Sequence, residues 1–110
     1  MNIKTYDWAR YALEMTGYHM ITTFGQDFDI ADAFGKAAIM ETYMRAMAEW
    51  KTNYKYLTEL ALILNWKCWQ HHGKNEEYSR LYADLYYKTR SYALDNLKGE
   101  ELTYYYETTD

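Results

Sequence analysis

The chain contains no proline, only five glycines and a single cysteine in 110 residues. Each shortage excludes something. Without proline, and with glycine confined to positions 17, 25, 35, 73 and 99, little breaks a helix, so long helices are the expected local structure. One thiol, Cys68, rules out an internal disulfide and suits a reducing compartment. Long apolar runs are also missing. The most apolar window, Leu60–Leu64 (LALIL), is far too short to span a bilayer, and the stretch MNIKTYDWARYAL has no uninterrupted apolar core of the signal-peptide type. These features lead us to expect a cytoplasmic protein with no membrane partner. Positive charge is scarce as well: the net charge is −4, and the twelve lysines and arginines are scattered. A phosphate-binding surface needs clustered cations, so direct sequence-specific nucleic-acid binding is not expected.

What is abundant is aromatic surface. Fourteen tyrosines and four tryptophans are a heavy load for this length. Both side chains join an apolar body to a polar tip and favour surfaces that are partly wet and partly contacted. With nearly half the residues apolar and a quarter charged, the composition is that of a globular domain, and we expect one helical domain over residues 1–110.

Periodicity divides the chain into an all-α bundle of four main helices, plus short helices near 30–35 and at the C-terminus. The first runs from a cap at Thr5 to about Thr16, with Trp8, Tyr11, Ala12 and Met15 at helical spacing. Residues 18–28 show no clear period and read as a loop, after which Asp29 caps the short helix closed by Gly35. The second long helix covers about Lys36–Lys51, with Ile39, Tyr43, Ala46, Met47 and Trp50 on its apolar side. The same spacing continues through Tyr54, Leu57, Ala61, Leu64 and Cys68. A single helix from 36 to 72 would be ~55 Å long, against a radius of gyration of about 13 Å for a domain of this size, so a turn is expected near 52–54. Gly73 ends the third helix. Asn75 caps the fourth, which buries Tyr78, Tyr82, Leu85, Thr89, Tyr92 and Ala93 and stops at Gly99. The tail adds one short helical turn.

The segment FDIADAFGKAAI, residues 28–39, has the outline of a helix-turn-helix opening. Six positions beyond Gly35, where a recognition helix needs an apolar anchor, stands Glu41, and the face carrying Thr42, Arg45 and Glu49 offers one cation. DNA reading by this segment is therefore not expected. Asp27, Asp29 and Asp32 miss the alternation of a calcium loop and read as capping and first-turn acids, or as an acidic contact patch. Cys68, His71 and His72 lie at i, i+3 and i+4, but His19 is the only other histidine and there is no second thiol, so no metal site is expected. No third residue can be named to orient a Cys–His pair, and no nucleophile elbow, phosphate loop or dinucleotide fingerprint is present. We expect neither an enzyme nor a cofactor.

On helical wheels at ~100° per residue, Trp66 and Trp69 project from the side of the third helix opposite its core stripe, and Tyr87 projects from the fourth. The run Tyr104–Tyr106 is hard to bury from one side. Such side chains are either covered by other helices, if the third helix is central, or kept for a partner. On the second reading Trp66, Trp69, Tyr87, Tyr104 and Tyr105 are expected as aromatic anchors for a protein partner, with Asp27, Asp29 and Asp32 meeting a basic surface on it.

The segments TTFGQDFDIADAFG, EWKTNYKYLTEL, LNWKCWQH and NLKGEELTYYYETTD together resemble a group of small accessory proteins carried by conjugative elements and phages of Gram-positive gut bacteria. The likeness covers about residues 22–110, leaves the first helix aside and departs at Gly25-Gln26, where bulkier or small polar residues are expected. It implies an accessory role for a mobile element but transfers no active site. Anti-defence proteins such as anti-CRISPRs are common among small acidic cargo of that kind, so an inhibitor engaging a nucleoprotein effector is the most concrete expectation. The alternative is a homodimeric or higher structural or regulatory module at DNA-processing or conjugation machinery.

Overall fold

The computed structural model describes residues 18–109, and their side chains from residue 25 onward. The helix expected between Thr5 and Thr16 lies outside the described residues. Five helices follow in order: α1 Tyr18–Phe34, α2 Lys36–Trp50, α3 Tyr54–His71, α4 Glu76–Asn96 and α5 Glu100–Thr109. Among the described residues there is no strand, and the architecture is an all-α bundle.

α3 is the central element and packs against all four others. Every residue from Leu57 to Asn65 on it is buried. A helix enclosed on all sides cannot show a one-sided apolar stripe. That is why Leu62, opposite the stripe of Leu57, Ala61 and Leu64, is as buried as they are. The turn expected near 52–54 is present: α2 stops at Trp50, and the Asn53 side chain accepts from Lys55 N and Tyr56 N at 3.1 and 3.3 Å to start α3. Asn75 starts α4 similarly, accepting from Tyr78 N at 3.1 Å.

Three segments differ from the sequence reading. Residues 18–28 are helical rather than a loop, and the short helix expected at 30–35 is the last part of that longer helix. The β-branched run Ile21-Thr22-Thr23 and Gly25 lower intrinsic helix propensity, but packing of α1 against α2 and α3 overrides it. Gly99 does not close α4, whose cap is Leu97; it precedes α5, its carbonyl accepting from Thr103 N at 3.1 Å. The expected single terminal turn is a ten-residue helix, held against α3 by the fully buried Tyr105.

α1 and α2 are joined by Gly35 alone, at φ 113° and ψ −177°. An L side chain does not adopt that conformation without strain. Glycine here lets α1 fold back along α2 within a single residue, which sets the relation between the two helices that frame the candidate site.

Candidate protein-docking face

α1 has three faces, each with a different neighbour. Phe28 and Ala31 enter the core, where the Phe28 ring meets Tyr82 edge-on at 5.7 Å. Asp29 and Asp32 turn toward α3. Asp27, Ile30 and Phe34 turn the other way, toward the outer side of α2.

The side facing α3 is a charged clamp. Lys67, only 1% exposed, directs its ammonium at Asp29 Oδ1, Asp32 Oδ2 (2.6 Å) and the Gln70 side-chain oxygen. Its three donors therefore have three acceptors. Asp32 also contacts His71 Nε2 at 2.8 Å and accepts from the Tyr82 hydroxyl, while Tyr78 donates to the Asp32 backbone carbonyl at 3.2 Å. The His71 ring stacks on Tyr82, centroids 5.7 Å apart. Burial, and then the Asp32 carboxylate, push the Tyr82 hydroxyl far above its ordinary range, so it stays a donor. These groups satisfy one another and fix the rotation of α1 about its own axis.

That rotation determines what α1 presents outward. Phe34 is 79% exposed and Ile30 60% exposed, four positions apart on one ridge. Beside the ridge, a groove of about 180 Å³ is lined by Asp27, Ile30, Phe34, Ala38, Glu41 and Arg45. Across α2 lies a second groove, of about 360 Å³, formed by Tyr43, Met44, Met47, Lys51, Lys88 and Tyr92. Met44 on its edge is 66% exposed. Tyr43 forms its inner wall, with Thr89 donating to the phenol oxygen at 3.2 Å and the Lys88 ammonium 5.9 Å from the ring centroid. Burial raises the Tyr43 pKa. Of the four large hydrophobic residues exposed among the described residues, three (Ile30, Phe34 and Met44) flank α2, and Leu94 is the fourth.

The aromatic positions singled out from the sequence lie elsewhere. Tyr105 is completely buried against the core and cannot touch a partner without unfolding α5. Trp66, Trp69, Tyr87 and Tyr104 are half-buried, and the first three pack on the core of their own chain. Trp69 meets the His72 ring edge-on at 5.1 Å, Tyr87 meets Tyr86 at 5.4 Å, and Tyr104 meets Tyr54 at 5.4 Å. The wheel sets Trp66, Trp69 and Tyr87 off the core stripes but does not show which neighbouring helices cover that side. The acids divide too. Asp27 is exposed in the groove, whereas Asp29, itself exposed, and the largely covered Asp32 pair with Lys67 on the side of α1 facing α3. Cys68, His71 and His72 diverge: Cys68 Sγ lies 3.5 Å from Ser79 Oγ in the core, where burial raises the thiol pKa, while His71 turns to Asp32 and His72 to Glu76 at 3.7 Å. Thr42, expected outward, is buried and donates to the Ala38 carbonyl at 2.9 Å.

Sequence reasoning missed Phe34, Ile30 and Lys67. The first two had a signal, since positions 27, 30 and 34 share one side of a helix opposite Phe28 and Asp32 once residues 18–34 are read as helical. Lys67 had a weaker one: a lone cation within the apolar and aromatic run WKCW.

Comparison with protein-family models, with curated proteins and with solved structures finds no match for the chain. Among the described residues no helix is long and apolar enough to cross a membrane.

Proposed function

We propose that this chain is a non-enzymatic protein-interaction module that docks a partner through the α1–α2 face. The observation that carries the reading is Phe34, a phenylalanine 79% exposed on a helix whose rotation is locked from behind by Lys67. A large apolar side chain on a rigid element, next to Ile30 and rimmed by the exposed acids Asp27 and Glu41, has the makeup of a binding anchor with a polar rim. These two acids face a single base on the rim, Arg45, which favours a partner with a basic surface. A protein that handles nucleic acid has such a surface. Together with the resemblance to mobile-element accessory proteins, this supports inhibition of a nucleic-acid-targeting defence complex as the specific role.

The test is an interference assay in cells carrying an active defence complex of that type, with transformation efficiency of a targeted plasmid as readout. The wild-type chain is expected to restore transformation and to co-purify with the complex. Ile30→Ser with Phe34→Ser should lose both while leaving the melting temperature nearly unchanged, because exposed substitutions rarely move stability by more than about 0.5 kcal/mol. Full inhibition by the double variant would refute docking through this face.

A further inference from the structure

The two grooves beside α2 carry opposite charge. The ridge side holds Asp27 and Glu41 against a single cation, Arg45. The methionine groove holds Lys51 and Lys88 and no acidic residue. No carboxylate of the described residues lies within ion-pair distance of either lysine, and the one charged-group contact there is Lys88 over the Tyr43 ring. In a chain of net charge −4, an apolar groove rimmed only by cations is a local reversal.

We infer that the Ile30–Phe34 ridge of one molecule seats in the Met44–Met47 groove of a second copy. The two surfaces match in kind. The ridge offers two large apolar side chains flanked by acids. The groove offers flexible, polarisable methionine walls, which adapt to an inserted aromatic ring, flanked by lysines. They also match in placement. The ridge groove borders the N-terminal part of α2 through Ala38, Glu41 and Arg45, and the methionine groove borders its C-terminal part through Met44, Met47 and Lys51. A two-fold axis through the exposed face of α2 therefore forms both contacts at once and closes the assembly at two copies. Dimerisation hides Phe34, so the dimer is a resting form that competes with partner docking. That regulatory consequence rests on the function proposed above; the dimer itself does not.

Sedimentation of the full chain tests this, with two charge-reversed variants. One is Lys51→Glu with Lys88→Glu, acidic on both surfaces; the other is Asp27→Lys with Glu41→Lys, basic on both. The wild type is expected to sediment at twice its 13.3 kDa mass and to dissociate as salt rises from ~0.05 to ~0.5 M. Each variant alone should dimerise more than about tenfold more weakly. An equimolar mixture should restore the dimer, because both ridge–groove contacts then pair opposite charges, and that restoration also establishes that the two variants are folded. A wild type that stays monomeric, one that forms an open ladder of sizes, or a mixture that stays monomeric overturns the inference. A monomeric wild type that still inhibits through Phe34 would sink the dimer and leave the docking face standing, whereas a dimer whose ridge variants still inhibit would do the reverse.

Discussion

Lys67 and Glu59 sit eight positions apart on α3, both carried inside by the helix at the centre of the bundle, and only one of them has partners there. Lys67 is surrounded by Asp29, Asp32 and Gln70. Glu59 is 6% exposed, and its Oε2 has no hydrogen-bond partner among the described residues. The group that registers its charge is Tyr104 on α5, whose phenol pKa is raised first by burial and then by Glu59. Burial of a charge is tolerated when surrounding dipoles and counter-charges replace water, and otherwise the group shifts toward its neutral form. The α1 end of α3 follows the first course and the α5 end the second. So α1 is fixed by charge and α5 by apolar packing over a carboxyl group whose pKa burial raises.

Breaking the compensated end should have the largest effect. Asp32→Ala removes the acceptor shared by Lys67, His71 and Tyr82 and leaves the buried ammonium with Asp29 and Gln70 alone. Stranding one member of a buried pair typically costs about 3–5 kcal/mol. We expect a loss of that order in chemical denaturation, with α1 affected first, read as faster amide exchange in α1 at temperatures where α4 and α5 stay protected. A loss under about 1 kcal/mol, the scale of an ordinary hydrogen bond, would mean that Asp29 alone satisfies the lysine.

This contrast also marks where the sequence was readable. Helix-period signals placed α2, α3 and α4 and their breaks at Asn53 and Gly73, because apolar spacing and capping side chains act locally. Of the stripe Tyr78, Tyr82, Leu85, Thr89, Tyr92 and Ala93, the four inner positions Tyr82, Leu85, Thr89 and Ala93 are buried, whereas Tyr78 and Tyr92 are half-buried at its edges. α1 was hidden because its helix is held by contacts 38 and 39 positions away, Lys67 to Asp29 and His71 to Asp32, which no local window contains. The same limit applies to the aromatics. A wheel shows that Trp66 and Trp69 leave the stripe of α3, but the cover over that side comes from other helices. Phe34 was passed over because it fell in a helix read as spanning only 30–35, and with residues 18–28 read as a loop no face joining it to Asp27 could be drawn.

At the uncompensated end the sign reverses. Glu59→Gln keeps the shape and removes the ionisable group, so it should stabilise the fold at pH 8 by on the order of 1 kcal/mol, the scale of a buried polar group relieved of an unmet demand. For a chain of this length that raises the melting temperature by roughly 4 °C. Asp32→Ala acts on one end of α3, through Lys67 and His71, and Glu59→Gln on the other, and they share no partner, so their effects should add. Strong non-additivity would show that the two ends are not separate systems.

The smallest expected effect is also the most specific. Burial raises the Glu59 carboxyl from its ordinary 4.5 to about 7. Between those values the folded chain retains a proton at Glu59 that the unfolded chain has released. Stability from this group therefore falls as pH rises from 4.5 toward 7, and becomes constant above 7, where both states are ionised. Other titrating groups, the clamp among them, contribute their own slopes, but these are common to the wild type and Glu59→Gln and cancel in the difference. The stabilisation by Glu59→Gln should thus be near zero at pH 4.5, grow through pH 6 and level off by pH 8, measured by urea denaturation at each pH. Because the Glu59 charge acts on Tyr104, the growth should be matched by loosening of α5 in the wild type, read as faster amide exchange at residues 102–108 at pH 8 than at pH 5 after correction for intrinsic rates. A pH-independent difference between the two proteins would place Glu59 among ordinary solvated carboxylates and remove the distinction between the two ends of α3.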